Sequence, residues 1–453
     1  MSNLKIENFR AIKNADFEIA DFLVVIGEQA SGKSTVSKLI HYFKSLKKDA
    51  VDCIAEDSQE VTLRVKDKFN IKAQKRFYQL FGSTQNEFFT IDYQYAVGKS
   101  IKLSQEKGSQ STVQISTSWL QEDWDLIVHD YLNLTAKFGQ HSNGSLNIDD
   151  IIEVKRKRER EKAEKEFSNK INTLFGDTDR RRNYIPASRS LISSLASSSG
   201  RRNAIEFFSK TNSDAANDND VAKYFDGNVG EFFKEIDHIK EDVLKKKHLS
   251  DIIASAEPRT KKALEAFYPL LKKILKADYK LVNEREELMS NEFAKPILLE
   301  FASSGQQEIV WILLCLFVWT YENYPASVVI EEPEAHLYPK TQDLALQYIV
   351  QFFNANANNQ IIINTHSPYL ILALNNLLFA YQTNNDAVIE ATGISKESWL
   401  NPERFGAYLI ENGTVRNIFD KDEGLIAESI LEIEATAISD VFEKISTIYQ
   451  PKN

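Results

Sequence analysis

The sequence predicts an α/β fold: a phosphate-binding unit split by an inserted, mainly helical region, with a small antiparallel β lobe. Three observations lead to this prediction. Residues 22–46 contain an apolar strand, a glycine-bearing loop and an amphipathic helix in succession. Residues 327–331 and 360–365 are two further apolar strands that each end in polar side chains. Residues 87–117 carry β-forming stretches separated by polar turns.

Composition places the chain among ordinary globular proteins. Its 453 residues can hold two or three domain-sized units, and 43% of them are hydrophobic against 26% charged. The formal net charge of -10 argues against a protein that coats nucleic acid generally, although it leaves room for a local basic groove.

Cysteine usage and apolar runs indicate a cytoplasmic protein with no membrane contact. The two cysteines, Cys53 and Cys315, are far apart in sequence and provide neither a disulfide framework nor a cysteine-based zinc site. The N-terminal sequence MSNLKIENFR has no secretory signal pattern. The most apolar run, Ile309 to Thr320, is too short to span a bilayer, so we expect it to form a buried helix.

The first element to justify is the loop at residues 27–35, GEQASGKST, which matches G-x-x-x-x-G-K-[ST] at every fixed position. Its glycines let backbone N–H groups turn inward, and the N-terminus of the next helix adds partial positive charge. Lys33 would reach the β- and γ-phosphates, and Ser34 would ligate Mg²⁺. A chance glycine-rich turn is the alternative, and the flanking strand and helix disfavour it. The candidate phosphate-binding residues are Gly27, Glu28, Gln29, Ala30, Ser31, Gly32, Lys33, Ser34 and Thr35.

Strands are expected on both sides of the phosphate loop and its helix. Two of them precede the loop, at residues 4–9 and 15–20. Those of the β lobe are expected at residues 60–66, 87–97, 101–104 and 112–117.

The middle of the chain is expected to be an insertion at residues 118–277, between two parts of one unit formed by residues 1–117 and 278–453. Long helical patterns dominate it. Residues 155–167 alternate in charge sign, and an exposed helix is favoured there over a short coiled arm. Residues 180–190, RRRNYIPASRS, are expected to end a strand before Pro186 and continue as a loop. The Ser-, Asn- and Asp-rich residues 191–220 are expected to form loops around a helix near 203–210.

A serine-glycine pair opens the second half of the predicted site. Ser303, Ser304, Gly305 and Gln306 stand before the long apolar run and are expected to begin its helix. Free N–H groups and a hydroxyl at a helix start suit a phosphate. These residues taken alone favour the alternative, an ordinary helix N-cap.

The two remaining strands supply acidic and imidazole side chains. Glu331 would hold the water shell of the metal, and Glu332 would polarise the attacking water. Solvated acids at a strand end are the alternative, which the run Glu-Glu-Pro-Glu makes less favoured. His366 follows the other strand and could hydrogen-bond a phosphate or the water. A single histidine is usually structural, but ligands of open α/β sheets collect at such strand ends.

The order of the phosphate loop, SSGQ, EEPEAHL and THSP resembles the ABC-type P-loop ATPase heads of the structural-maintenance and recombination-repair (SMC and RecF) group. Within that group the sequence most resembles the OLD-like (overcoming lysogenization defect) ATPases, and its opening LKIENFRAIKN is similar too. The resemblance covers residues 1–45 and 290–415. It implies an ATPase that binds ATP and Mg²⁺.

The resemblance also implies residue roles. Ser303, Ser304 and Gly305 would reach the γ-phosphate of ATP held by a second subunit, so the active unit would be a homo-oligomer, at least a dimer. Glu332 would be the catalytic carboxylate and His366 the switch histidine. Two departures stand out: Glu331 occupies a position where many such ATPases have aspartate, and YIPASRS has no glutamine, which leaves the Q-loop residue open.

One domain of the full OLD nucleases falls outside this resemblance. Full OLD nucleases carry a Toprim domain after the ATPase, with an Asp-x-Asp motif, and we expect no such domain in the residues that follow Pro368 here. Asp218-Asn219-Asp220 fits formally but is better interpreted as a turn. We therefore expect no nuclease centre of its own. The chain resembles the ATPase subunits of two-gene anti-phage systems, PARIS first and Septu second, in which a separate effector, such as a Toprim-like nuclease, acts in trans.

Two function classes stay open: a defence ATPase that holds and releases an effector, and a DNA-repair ATPase of the RecF/SMC type that clamps DNA. The trigger of a defence ATPase could be DNA or a phage protein. The acidic amphipathic tail, Glu423 to Ile448, is expected either to dock the effector or to pack on its own ATPase head. Its spacing does not decide between the two.

Overall fold

A computed structural model of the chain shows an α/β architecture built on an eleven-stranded sheet. This confirms the α/β class predicted from the sequence. The structure describes residues 2–56, 63–85, 87–108, 112–119, 121–138, 150–176, 180–187, 189–190, 227–290 and 295–427.

Sixteen strands lie within the described residues, and most belong to the large sheet. They are β1 (Ser2–Phe9), β2 (Ile12–Ile19), β3 (Phe22–Gly27), β4 (Phe89–Ala96), β5 (Lys99–Gln105), β6 (Gln114–Thr117), β7 (Arg181–Ile185), β8 (Asp278–Val282), β9 (Arg285–Met289), β10 (Ile297–Leu298), β11 (Ala326–Glu331), β12 (Gln360–Thr365), β13 (Phe405–Glu411), β14 (Thr414–Asn417), β15 (Phe419–Asp420) and β16 (Leu425–Ile426).

The helices of the described residues cover the sheet. They are α1 (Lys33–Glu56), α2 (Leu63–Phe81), α3 (Gln121–Phe138), α4 (Asp150–Phe175), α5 (Gly227–His238), α6 (Leu249–Ser255), α7 (Pro258–Leu275), α8 (Ser304–Glu322), α9 (Pro339–Ala355), α10 (Pro368–Thr383) and α11 (Ala387–Thr392). Shorter turns of helix are a π-helix at Ile239–Leu244 and 3₁₀ helices at Leu299–Phe301, Lys396–Ser398 and Pro402–Arg404.

The large sheet has an antiparallel half and a parallel half, in the order β6-β5-β4-β1-β2-β14-β13-β3-β12-β11-β7. The strands β13, β3, β12, β11 and β7 run parallel to one another. Parallel neighbours end at the same edge of a sheet, which is where ligands of open α/β sheets bind. The loop after β3 and the polar residues after β11 and β12 therefore share one edge.

Strand β3 is buried on both sides because two hydrophobic cores cover the two faces of the sheet. Phe22, Val24 and Ile26 belong to the core formed with α5 and α7 to α10. Leu23 and Val25 belong to the core formed with α1 to α4. The continuous apolar run of β3 follows from this arrangement, since a strand with helices on both faces has no polar side.

The predicted β lobe is an extension of the large sheet. Its strands β4, β5 and β6 pair antiparallel, and β4 adds directly to β1. The strand expected at residues 60–66 is wrong from Leu63 onward, where helix α2 begins. Val65, Phe69, Ala73 and Phe77 recur every four residues in α2 and are fully buried, which is a helical spacing.

The predicted insertion also contributes to the large sheet. Strand β7 lies within residues 118–277, ends at Ile185 as expected, and pairs in parallel with β11. The boundaries of the insertion therefore stay a prediction. The helix expected near residues 203–210, and the tail beyond Ala427, lie outside the described residues.

Cys53 and Cys315 are free and buried. The apolar run around Ile309 lies within the buried helix α8, which confirms that prediction. In the portion of the chain that the structure describes, no helix combines the length and apolarity needed to cross a membrane.

A buried ion-pair network ties the helix of the phosphate loop to two other helices. Arg76 of α2 donates to both carboxylate oxygens of Asp49 of α1, at 2.7 and 3.0 Å, and to Glu231 of α5 at 3.0 Å. The Asp49 side chain is 1% exposed. Removing its partner would leave a buried charge without compensation.

Replacing Arg76 with methionine is therefore expected to destabilise the protein by about 3 kcal/mol, the scale measured when one partner of a buried pair is removed. The measurement is the midpoint of urea unfolding. Arg416→Met, on an exposed strand residue, is the control and should leave the midpoint unchanged. Equal midpoints for Arg76→Met and Arg416→Met would contradict the assignment of this network.

Candidate active site

The loop between β3 and α1 packs closely around its two glycines. A Cβ at Gly27 would lie 2.5 Å from the carbonyl oxygen of Ile410, and one at Gly32 would lie 2.6 Å from Cδ1 of Ile12. Gly32 also has φ of +108°, a conformation that side chains rarely adopt. The tight packing of this loop against its neighbours explains why the motif requires glycine at both positions.

Lys33 places its ammonium group inside the loop. Its Nζ donates to the carbonyl oxygens of Gly27 at 2.7 Å and Glu28 at 2.6 Å. Burial lowers the pKa of Lys33, and the charges of Glu332, Glu334 and Glu28 oppose that shift. A phosphate that enters the loop would meet the ammonium group of Lys33. The carboxylates of Glu332, Glu334 and Glu28 act on that group only at a distance.

The start of α1 supplies further features that suit an anion. The helix begins at Lys33 and has no acidic residue in its first turn, so its positive end is not offset locally. Among the described residues, the Ser31 hydroxyl is buried and has no hydrogen-bond partner. Ser34 lies exposed in the first turn. These groups fit the phosphate-binding role predicted from the motif.

Glu331, at the end of β11, fits a metal ligand. Its side chain is buried, and Oε2 accepts a hydrogen bond from the backbone of Ala187 at 3.3 Å. The other oxygen, Oε1, is buried and has no hydrogen-bond partner within the described chain. Mg²⁺ is typically held by one or two protein oxygens together with substrate phosphates, so Glu331 and the hydroxyl of Ser34 make a suitable donor set.

Glu332 and His366 lie together next to this carboxylate. His366 Nδ1 is 3.5 Å from Oε1 of Glu332 and 3.6 Å from Oε1 of Glu334. The Glu332 side chain is 37% exposed and that of His366 is 54% exposed, so both remain accessible to a substrate and water. The structure thus brings together the acid and the histidine that the sequence placed on separate strands.

Glu334 is a site residue that sequence reasoning missed as a functional group. It is buried, and its Oε1 accepts from Thr365 Oγ1 at 2.6 Å and from the backbone of His366 at 3.0 Å. These bonds fix the backbone that carries His366. In the sequence, Glu334 was visible as the third glutamate of Glu-Glu-Pro-Glu. Its role was not visible there, because the residues that it bonds follow another strand.

Arg189 is the second missed residue. It is fully buried, and its guanidinium donates to four backbone carbonyls, including those of Glu331 and Glu332. Burial lowers the pKa of Arg189, while the charges of Glu308, Glu334, Glu331 and Glu332 oppose that shift. The loop after β7, in which the sequence analysis left the Q-loop residue open, therefore lies against the acidic strand end.

The serine-glycine pair begins helix α8 as an N-cap. Ser303 Oγ accepts from the backbone of Gln306 at 3.3 Å, and the Gln306 side chain accepts from the backbone of Ser303 at 3.1 Å. This is the ordinary cap that these residues alone favoured. A Cβ at Gly305 would lie 2.7 Å from the carbonyl oxygen of His336, which explains the glycine. Ser303 and Ser304 are both exposed.

A cavity of about 580 Å³ lies at the other edge of the sheet. Arg180, Arg404 and Tyr408 are among the residues that line it, and none of residues 27–35 does. The cavity is therefore separate from the phosphate loop.

Comparison with known proteins gives one family match. The family described as AAA ATPase domain matches residues 1–371, which include every candidate site residue named above. No curated protein matches the sequence.

Three solved structures are similar in fold. The Smc head bound to the C-terminal winged-helix domain of ScpA is 11% identical, with a TM-score of 0.39, covering 92% of this chain and 96% of that chain. The SMC head domain from Thermotoga maritima is 10% identical, with a TM-score of 0.34, covering 92% and 97%. The recombination mediator RecF with ATPrS is 10% identical, with a TM-score of 0.32, covering 92% and 97%.

Proposed function

Because the chain belongs to the AAA ATPase domain family, we propose that it hydrolyses ATP at this sheet edge and that a second copy completes the site. One observation carries the proposal: three groups follow neighbouring parallel strands. They are the buried ammonium of Lys33, the Glu331 oxygen that has no partner among the described residues, and the Glu332–His366 pair. The ammonium of Lys33 belongs to the phosphate-binding loop, the Glu331 oxygen is a metal ligand, and the Glu332–His366 pair supplies the base.

Each group has a distinct task in this proposal. Lys33 and the start of α1 bind the β- and γ-phosphates. Ser34 and Glu331 would hold Mg²⁺, which would supply positive charge to offset that of the phosphoryl group. Glu332 accepts a proton from the attacking water. His366 donates a hydrogen bond to the γ-phosphate and is held in place by Glu334.

The second copy is proposed to contribute the exposed start of α8. Ser304 and Gly305 would offer backbone N–H groups, and Ser303 and Ser304 would offer hydroxyls, to the γ-phosphate across the interface. Phe301, 75% exposed beside them, provides an apolar contact for such an interface. The active form in this proposal is a homo-oligomer of two or more copies. Its proposed localisation is cytoplasmic.

The biological role that we propose is the ATPase subunit of a bacterial anti-phage system. In this role the chain holds a separate effector protein, a Toprim-like nuclease, and releases it when DNA or a phage protein triggers the ATPase. The support is that the convincing acid pair of the sequence, Glu331 and Glu332, belongs to the proposed ATP site. The Asp-x-Asp that follows Pro368, Asp420-Lys421-Asp422, forms a turn in which Asp420 Oδ1 accepts from the backbone of Asp422 and Glu423.

The purified chain alone is expected to hydrolyse ATP slowly and to cut neither DNA nor RNA, because its metal-binding carboxylate serves ATP. The assay follows ATP turnover and, in the presence of Mg²⁺ or Mn²⁺, cleavage of plasmid and of transfer RNA. Lys33→Ala and Glu332→Gln are the matched controls. Robust cleavage that survives both substitutions would overturn the proposal of an effector in trans.

A DNA-clamping repair ATPase is the second candidate. Helix α4 is 26 residues long, about 39 Å at 1.5 Å per residue, and its charged sequence could serve as a short arm. Turnover that rises at least about tenfold with duplex DNA, and falls again with salt, would favour this candidate over the defence role.

A further inference from the structure

The buried Arg189 lies between two segments with different proposed partners. On one side lie the first turns of helix α8, next to the exposed Ser303 and Ser304. On the other side is the acidic turn of Glu331 and Glu332, which faces the ATP bound by the same chain. The side chain of Arg189 is 0% exposed, so its bonds to both segments are shielded from water.

The contacts with α8 are made through Glu308. Its Oε2 accepts from the backbone N–H of Arg189 at 2.9 Å, and its Oε1 accepts from the backbone N–H of Ser190 at 3.0 Å. In return, Arg189 Nε donates to the carbonyl oxygen of Glu308 at 2.8 Å. Glu308 itself is 2% exposed. The start of α8 cannot shift without moving Arg189.

The contacts with the acidic turn are made through backbone carbonyls. Arg189 Nη1 donates to Glu331 O at 2.6 Å, and Nη2 donates to Glu332 O at 2.8 Å. Glu332 has φ of +43°, a left-handed conformation that is costly for a side-chain-bearing residue and persists where its surroundings hold it. Arg189 is thus one of the groups that hold the backbone from which the Glu332 carboxylate projects.

These two sets of bonds connect two ATP sites when the function proposed above holds, on which this inference rests. In a dimer, Ser303 to Gly305 of one copy contact the ATP of the second copy, whereas Glu332 of the first copy acts on its own ATP. We propose that Arg189 is a positioning residue that transmits the occupancy of one site, through Glu308 and α8, to the Glu332 of the other site.

A guanidinium is suited to this task, and an ammonium is not. Arg189 presents N–H groups in a rigid planar fork that spans Glu308, Glu331 and Glu332 at once. A lysine would keep the positive charge but would reach these carbonyls only from a single point. Arg189→Lys therefore keeps the positive charge but removes the hydrogen bonds that join α8 to the acidic turn, so the effect of losing those bonds is measured alone.

The test is ATP turnover as a function of ATP concentration. The wild type is expected to show positive cooperativity, with a Hill coefficient of roughly 1.5, since the coefficient cannot exceed the number of sites. In Arg189→Lys the coefficient should fall to about one and the turnover number about tenfold, with ATP affinity within about twofold of the wild type.

Arg404→Lys is the matched control. Arg404 is also partly buried and donates to two backbone carbonyls and to Asp21, but it lies at the opposite sheet edge. It should keep the wild-type Hill coefficient. A Hill coefficient of one in the wild type, or one unchanged in Arg189→Lys, would overturn the inference.

A second variant guards against misfolding. If Arg189→Lys loses its thermal transition, Glu308→Gln removes the charge and one acceptor from the α8 side and should lower the Hill coefficient in the same way. A purely structural role would instead lower the melting temperature, the ATP affinity and turnover together and leave cooperativity intact. Failure of the proposed two-copy site is separately visible, because then mixed Lys33→Ala and Ser303→Arg chains regain no turnover.

Discussion

Lys33→Ala is expected to lose at least about 100-fold in ATP affinity, which abolishes binding at ordinary nucleotide concentrations. The buried ammonium is the cation within the phosphate loop, held by the carbonyls of Gly27 and Glu28. Its hydrogen bonds to the β- and γ-phosphates would be charge-assisted on both sides. Alanine removes both the charge and the donors and leaves the backbone N–H groups of the loop in place.

The measurement is titration with a fluorescent ATP analogue, followed by competition with unlabelled ATP. Lys48→Ala is the control, since Lys48 lies on the same helix α1 and is exposed. It should bind as the wild type does. Affinity of Lys33→Ala within about twofold of the wild type would show that the loop does not hold the phosphates, whatever its sequence.

Glu332→Gln is expected to keep ATP binding and to lower turnover by about 10² to 10⁴-fold, the range that general-base catalysis contributes. Glutamine has nearly the same shape as glutamate but cannot accept the proton of the attacking water. The ATP-bound oligomer should therefore live longer. The proximity of Glu332 to His366, with 3.5 Å between Oε1 and Nδ1, places this carboxylate where phosphate and water would meet.

Single-turnover hydrolysis, with ATP binding measured on the same sample, separates the chemical step from affinity. Glu390→Gln, on the exposed helix α11, is the control and should hydrolyse ATP at the wild-type rate. If Glu332→Gln also hydrolyses at that rate, another group positions the water, and the buried Glu334 becomes the first residue to examine.

The sequence predicted the parts of the site that depend on local pattern. The phosphate loop was predictable because its strand, glycines and helix are contiguous between Phe22 and Leu46. The strands ending at Glu331 and Thr365 were predictable because a fully buried parallel strand is a short continuous apolar run. Their meeting at one edge follows from parallel pairing.

The parts that sequence reasoning missed depend on contacts between distant segments. Arg189 reaches Glu331 across 142 positions, and no local pattern marks that contact. The strand expected at 60–66 was wrong from Leu63 onward because a stretch of β-forming residues is ambiguous. Helix α2 begins there and packs on α1. The proposed role of Ser303 depends on a second copy, and it was predicted from the family resemblance rather than from the residues taken alone.

The most direct test of the two-copy ATPase site is ATP turnover by mixed oligomers of Lys33→Ala and Ser303→Arg chains, with mixing verified by differently tagged copies. Each variant alone is expected to be inactive, because every site lacks either the lysine or the serine. A mixed dimer contains one site with both residues intact, so turnover should recover to at most about a quarter of the wild-type value when the chains mix at random in equal amounts, and to less where the empty second site leaves the intact one unstimulated. Turnover that never exceeds that of either variant alone, in oligomers shown to be mixed, would contradict a site shared between two copies.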